Sequence, residues 1–318
     1  MNIPEELTEL ILREKRFFIA THINPEGDAL GSSLALSMAL ERLGKDTVVY
    51  DRDRVPESYR FLPGHERFTS SLDLLASGGA PLILLDCNEP DRAGLDNVPI
   101  SSSAVIDHHE TEGAFGDIRW IEPGAAATGL MVFHLIKNLG VPITKDMAAN
   151  LYTALAIDTG TFRYGNVTSD VLRAAAELVD AGADPAAISV GLYETWSGGK
   201  FRLLIEVLNT LEIVDAAATI AASREVFRKT GTSGEDTENF ANFPRMMKDI
   251  EVSAFFRETE DGWKVSLRSK GDLNVALIAA RFDGGGHRNA AGYRVRTDLK
   301  TAKESLIKAV TGMNVSKP

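Results

Sequence analysis

The sequence predicts an α/β protein, with a doubly wound parallel sheet in its first half and a smaller mixed α/β domain in its second. Three observations carry that expectation. Short apolar runs alternate with longer helical patterns through the first half. At 318 residues the chain is long enough for two separately cored domains. From about residue 212 the composition changes and extended patterns predominate. Strands alternating with helices favour a parallel sheet covered on both faces.

The first run, "RFFIAT" (16–21), is short, rich in Phe and Ile and followed by turn residues, which marks a buried strand. "DALGSSLALSMALERLG" (28–44) has the length of a helix. "DTVVYD" (46–51), "PLILLD" (81–86) and "SAVIDH" (103–108) repeat the strand pattern. "AATGLMVFHLIKNLG" (126–140), "KDMAANLYTALAIDTG" (145–160) and "TSDVLRAAAELVDAG" (168–182) read as helices. The last has Thr168 or Ser169 as N-cap and Gly182 just past its end. A segment around "ETWSGGKFRLLIEVLNTLEIV" joins the halves, so the expected division is 1–188, a linker over 189–210, and 211–318. Beyond it, "IVDAAATIAAS", "DIEVSAFFRET", "GWKVSLRS" and "AAGYRVRT" read as strands, with helices near "NVALIAARF" and "LKTAKESLIKAV". There is no internal repeat.

Composition narrows the function. A hydrophobic fraction of 44% and a charged fraction of 25% are those of an ordinary soluble globular protein. The N-terminus, "MNIPEELTELILREKRFF", has acids where a secretory signal needs a basic start, and no stretch approaches the roughly 20 apolar residues of a membrane span. A cytoplasmic protein with no membrane partner is expected. The single cysteine, Cys87, cannot form an internal disulfide, which fits a reducing compartment. A net charge of -11 argues against a basic surface tracking long nucleic acid, while a short nucleotide held by a few local cations is allowed.

The acids and imidazoles fall in a pattern. His22, Glu26 and Asp28 follow the first strand, Asp86 ends the third, and Asp107, His108 and His109 end the fourth. A doubly wound sheet places its ligands at the carboxyl ends of its strands, so these residues form one candidate site. Carboxylates converging without a basic partner repel one another unless a cation neutralises them. Mixed histidine and carboxylate ligands suit Mn, Fe, Co or Zn better than Ca, and a set this large can hold two ions with one bridging carboxylate. Taken singly, each residue has a plainer reading: Asp28 as an N-cap, Asp107 as a turn residue. "DHH" at one strand end and "HxxxExD" at another are improbable together by chance.

"HINPEGDALGS", "LLDCNEPDRAG", "VIDHHET", "AIDTGTFRYGNVT" and "GGGHRNAAGY" resemble, in order, the motifs of the DHH phosphoesterases that carry a DHH-associated C-terminal domain. The resemblance spans about residues 15 to 312. Within that family it points to the compact bacterial nanoRNase and pAp-phosphatase type, through "RVPESYRFLPG" and "NFANFPRMMKDIEV" as well. It implies a DHH catalytic, metal-binding domain followed by a substrate-binding domain, with the active site in the cleft between them. It implies one metal held by His22, Glu26 and Asp86 and a second by Asp28, Asp86, His108 and Asp158, with Asp86 as the bridge. Manganese is the first choice, with cobalt, magnesium or iron as alternatives. The family usually has aspartate where Glu26 stands, and the longer arm displaces the carboxylate by a methylene.

Two ions about 3.5–4 Å apart activate a water and withdraw charge from the phosphate during in-line attack. His109 is then expected to hydrogen-bond the scissile phosphate or protonate the departing ribose oxygen, and Asp107 to orient the turn or a ligand histidine. In "FDGGGHRNAAGYRV" (282–295), Gly284, Gly285, Gly286 and His287 are candidate phosphate holders together with Arg268, and a helix starting there would add its positive end. Alone, a "GGGH" run is an ordinary surface turn; the resemblance makes it a substrate loop. Asp283 stands where relatives often have glycine. Arg163, with Asn166 and Thr168, either reaches the cleft or pairs on the surface.

The expected activity is removal of 5'-mononucleotides from oligonucleotides of a few residues and release of the 3'-phosphate of pAp to give AMP. The expected partners are short RNA or DNA oligonucleotides or small nucleotides, and a homodimer is allowed. The runner-up is a soluble phosphodiesterase for cyclic or linear dinucleotides such as cyclic di-AMP or pApA. Inorganic pyrophosphatase shares the metal set. A catalytically weak nucleotide sensor is favoured only by Glu26.

Overall fold

The computed structural model describes residues 1–76, 80–96, 98–110 and 113–314. The chain divides into two units, Met1–Thr195 and Trp196–Pro318.

The first unit is built on β1 (Arg16–Ala20), β2 (Asp46–Tyr50), β3 (Phe68–Thr69), β4 (Leu82–Leu85), β5 (Ser103–Asp107) and β6 (Ile118–Ile121). They form one sheet in the order β3-β2-β1-β4-β5-β6, every neighbouring pair parallel. Four of these strands are the apolar runs seen in the sequence. The other two carry weaker signals, β3 being two residues long and β6 reading "IRWI". Alternation along the strands splits the core cleanly. Phe17, Ile19, Ile83 and Ile106 enter one apolar cluster, while Phe18, Leu82, Leu84 and Val105 enter another on the opposite face. Both faces are therefore covered, as an all-parallel sheet requires.

The helices of this unit are α1 (Glu5–Arg13), α2 (Gly27–Arg42), α3 (Asp73–Ala76), α4 (Thr128–Asn138), α5 (Lys145–Asp158), α6 (Ser169–Asp180) and α7 (Pro185–Tyr193). Thr168 caps α6, its hydroxyl accepting from the Val171 N–H. α2 is buried continuously from Gly27 to Leu40 because small residues let its neighbours close in. A Cβ at Gly31 would overlap the Asn150 carbonyl of α5, and one at Gly129 of α4 would overlap Ala154. This close approach sets the first turns of α2 and α4 and the last turn of α5 beside the strand ends. The chain runs outward from β1 to β2 and β3, then returns to β4 on the other side of β1, so the switch of direction lies between β1 and β4.

The second unit contains α8 (Gly198–Leu208), β7 (Glu212–Val214), β8 (Ala217–Ala222), α9 (Arg224–Thr230), α10 (Asn242–Arg245), β9 (Val252–Thr259), β10 (Gly262–Ser269), α11 (Val275–Ala280), β11 (Gly285–His287), β12 (Ala290–Val295) and α12 (Leu299–Asn314). Its sheet runs β11-β12-β10-β9-β8-β7, with β8 and β9 parallel and the other pairs antiparallel. "IVDAAATIAAS" is a hairpin rather than a single strand, turned at Asp215 with φ 51°. Residues 189–210 hold the end of α7 and all of α8. Leu203, Leu204 and Val207 of α8 are buried with Ile220, Phe240 and Phe255 of the second unit. The other face of the sheet packs Phe256, Val265 and Tyr293 against α11 and α12. Among the described residues no helix is long and apolar enough to cross a membrane.

Candidate metal centre

At the switch point, the carboxyl ends of β1, β4 and β5 deliver His22, Asp86, Asp107, His108 and His109, while α2 contributes Asp28 from its first turn and α5 contributes Asp158 from its last. Asp86 follows β4 in the left-handed region at φ 59°, a conformation that costs energy for a residue with a Cβ and gathers at functional sites. Its two oxygens face two imidazoles. Oδ2 lies 3.5 Å from His22 Nε2 and Oδ1 lies 3.5 Å from His108 Nε2. The Thr128 hydroxyl donates to Oδ1 at 3.0 Å.

His108 is the hub. Its Nε2 lies 3.1 Å from Asp158 Oδ2 and 3.8 Å from Asp28 Oδ2. Asp28, Asp158 and His108 form one group of potential ligands, and Asp86, His108 and His109 form another, the ligand atoms of each lying within 4.8 Å of one another. The backs of the histidines are held in place. His22 Nδ1 donates to the Ile23 carbonyl at 3.0 Å and His108 Nδ1 to the Ala125 carbonyl at 3.2 Å. These bonds leave each Nε2 for the cluster, the usual support for a metal-binding imidazole.

Asp28 is almost fully buried and is no N-cap of its own helix, since Glu26 holds that position. Its carboxylate instead receives the N–H groups of Thr128 at 2.7 Å and Gly129 at 2.8 Å, at the start of α4, and the Ser32 hydroxyl at 3.0 Å.

The electrostatics call for positive charge. Burial, then the charges of Asp86 and Asp158, raise the Asp28 carboxyl well above its ordinary range. Burial likewise raises Asp158. Burial opposes ionisation of Asp86 too, yet hydrogen bonds with His108 and His22 hold it well below the usual range. The imidazoles answer in the same way: burial disfavours their charge, but the surrounding acids push His108 up to about 12 and His22 up to about 9. Without a cation, this cluster recruits protons. A set of buried carboxylates and Nε2 atoms with supported ring orientations fits divalent metal.

His109, whose Nδ1 lies 3.8 Å from Asp86 Oδ1, is bound more closely to Asp107. Its Nδ1 meets Asp107 Oδ1 at 2.5 Å, and its backbone N–H donates to the same oxygen at 3.2 Å. Asp107 is fully buried, and its Oδ2 has no hydrogen-bond partner among the described residues.

Other expected site residues lie differently. Glu26 is exposed and, like His22, stands outside both ligand groups, though His22 still meets Asp86 Oδ2. Arg163 is exposed and its Nε donates to the Gly160 carbonyl at 2.6 Å, locking a turn in which Gly160, Thr161 and Phe162 are all left-handed. Asn166 ties that turn to the Asp158 carbonyl at 3.0 Å. Arg268 is half-buried on β10 and its Nη1 donates to the Leu267 carbonyl at 3.0 Å.

The glycine run does not begin a helix: it leads into β11, paired with β12. Two of its glycines are sterically required there. A Cβ at Gly284 would overlap the Gly292 carbonyl, and one at Gly286 would lie 2.6 Å from the Ala290 carbonyl oxygen. Gly285 differs, since a Cβ there meets nothing within 4 Å. The side chain of His287 lies outside the described residues.

Two residues of this region went unnoticed in the sequence. Thr128 bridges α4 to Asp28 and Asp86, and a threonine opening a helix was its only signal. Asp51, buried at the carboxyl end of β2, shares the strand-end position that marked Asp86 and Asp107.

Comparison with known proteins identifies the family. The DHH family N-terminal domain matches residues 16–155 and the DHHA1 domain matches residues 216–313. The chain is 38% identical to a Thermus thermophilus protein named bifunctional oligoribonuclease and PAP phosphatase NrnA, over 93% of this chain and 90% of that one. It is 26% identical to the Bacillus subtilis protein of the same name, over 93% and 97% respectively. The crystal structure of an exopolyphosphatase-related protein from Bacteroides fragilis superposes with a TM-score of 0.91 at 28% identity, covering 97% of this chain and 95% of that one. With both domain matches in order and a relative this similar along nearly its whole length, the chain belongs to the DHH family and carries a DHHA1 domain in its second half.

Proposed function

We propose that the chain is a phosphoesterase that uses two divalent metal ions, natively manganese, to cut short oligonucleotides to 5'-mononucleotides and to release the 3'-phosphate of pAp. The observation that carries this reading is Asp86, which turns one carboxylate oxygen to His22 and the other to His108, as a bridging ligand does. The Thermus thermophilus relative, by its name an oligoribonuclease and PAP phosphatase, supports the substrate class.

His22 and Asp86 would hold one ion, and Asp28, Asp86, His108 and Asp158 the other. Glu26 joins the first set only by reorienting from its exposed position. When bound, the ions supply the positive charge that activates water and offsets the charge on the phosphate. The chain supplies orientation and a proton. Asp107 takes His109 Nδ1, which orients the ring and assigns Nε2 to the substrate, where it would deliver a proton to the leaving ribose oxygen. Thr128 and the start of α4 keep Asp28 and Asp86 in place. Arg268 and the N–H of Gly285 are the proposed holders of a substrate phosphate, with Arg163 supporting the Asp158 turn instead.

The test is hydrolysis of 5'-labelled di-, tri- and longer oligoribonucleotides beside pAp, with Mn added and with His108→Ala and Asp158→Ala as controls. Fast, Mn-dependent release of mononucleotides from the shortest substrates, lost in both controls, is the expected result. Turnover of cyclic di-AMP or pApA alone would replace this reading by the dinucleotide phosphodiesterase. A protein that binds no metal and hydrolyses nothing would be a sensor.

A further inference from the structure

The second unit's sheet carries a charge pattern that folding alone disfavours. Lys264 of β10 lies directly opposite Arg257 of β9 on one side and Arg294 of β12 on the other. Alternation along the strands puts all three on the face opposite the core formed by Phe256, Val265 and Tyr293. Residues directly opposed in antiparallel strands have Cβ atoms about 4.5–5.5 Å apart, and like charges there repel. Among the described residues none of the three is in an ion pair, although Arg257 donates from Nη1 to the Gly234 carbonyl at 2.7 Å. Partial desolvation, then the charges of Arg257 and Arg294, lower Lys264 from its ordinary value, and Arg257 is lowered in the same way beside Arg294. Glu235 is the acid whose charge favours Arg257. In a chain of net charge -11, a row of three mutually repelling cations is a costly arrangement for a structural surface.

The same face continues toward the proposed phosphate holder. Ser266 and Gly292 form the next row, both small and half-buried, and Arg268 opposite Ala290 forms the row after that. Lys264 and Arg268 are four residues apart on one strand, about 14 Å by strand rise. That span exceeds the separation of the two phosphates on a single nucleoside and suits a chain of nucleotides.

We propose that the Arg257–Lys264–Arg294 row is a second phosphate-binding site, which holds the far phosphate of an oligonucleotide whose near phosphate is held at Arg268. The inference rests on the oligonucleotide reading above. Arg294 and Lys264 are exposed and offer the charge, while Arg257, fixed by the Gly234 carbonyl, sets the end of the row. A nucleoside bisphosphate such as pAp is too short to engage both places. The row therefore sets affinity for longer substrates without affecting pAp.

The experiment compares wild type with Lys264→Gln/Arg294→Gln. Binding of a tetranucleotide with non-hydrolysable linkages, Mn present, is measured across a salt series, beside the KM for pAp and the thermal midpoint. The expected result is at least tenfold weaker tetranucleotide binding. The slope of log affinity against log salt should become shallower by about 0.7 for each phosphate that the protein no longer neutralises. The pAp KM should stay within twofold, and the midpoint should rise because like charges no longer face each other. Unchanged tetranucleotide affinity and slope would overturn the site. So would equal losses for pAp and tetranucleotide, which indicate a diffuse field, and so would a wild type that binds no tetranucleotide. If wild type binds the tetranucleotide but hydrolyses neither substrate class, the proposed activity fails while the binding comparison still decides the row.

Discussion

Asp107 and Asp51 are buried carboxylates at strand ends of the same sheet, and their surroundings give them different tasks. Asp107 is engaged at Oδ1 by both the ring and the backbone of His109. Asp107→Asn keeps the size and replaces the carboxylate that orients the His109 ring. Turnover is expected to fall about 10- to 100-fold with metal content unchanged, as for other residues that orient a catalytic ring. Steady-state kinetics with metal analysis checks this; loss of metal would mean that Asp107 supports the ligands instead. Asp51 accepts the Asp53 N–H on one oxygen and has no partner for the other among the described residues. Burial pushes its carboxyl up from 3.8 to about 7. The folded state then binds a proton that the unfolded state has released, so stability falls as pH rises from about 4 to about 7. In metal-free protein, Asp51→Asn is expected to flatten that fall, recovering no more than about 4 kcal/mol at neutral pH. Denaturant unfolding at several pH values reads it directly.

At the scale of elements, the glycine run shows how one motif divides its labour. Gly284 and Gly286 are required by the closeness of β12, and Gly286 also has φ 139°. Gly286→Ala is expected to destabilise the second unit by about 1–3 kcal/mol. Gly285→Ala meets no neighbour, so stability should stay within about 0.5 kcal/mol while the KM rises if a phosphate approaches the Gly285 N–H. Unfolding curves and substrate titration of both variants separate packing from binding. The same logic applies to α2, α4 and α5, where Gly31 and Gly129 permit the approach that brings Asp28 and Asp158 to His108.

At the scale of the whole molecule, two units with separate cores should respond separately to metal. A cation that binds the folded first unit and not the unfolded chain, at a hundredfold excess over its Kd, stabilises that unit by about 2.7 kcal/mol. For a unit of this size the thermal midpoint should rise by roughly 5–10 °C. Calorimetry with Mn and with chelator is expected to move one transition and leave the other in place. A shift of neither would remove the metal centre from the first unit.

The sequence by itself determined the α/β class, the family, the four principal strands of the first sheet and the strand-end positions of His22, Asp86, Asp107, His108 and His109. Local pattern suffices for these, because short apolar runs followed by polar residues specify a buried strand and its end. Only the tertiary structure decided which groups meet. Thr128 is distant in sequence from Asp28 and Asp86, and Asp51 follows a strand whose neighbour is set by sheet order. The glycine run pairs as a strand because β12 folds back onto it, a pairing that no property of "GGGH" alone contains. The row of Arg257, Lys264 and Arg294 exists only through strand register. Side-chain chemistry is written locally, whereas proximity comes from strand pairing and helix packing between residues far apart in the chain.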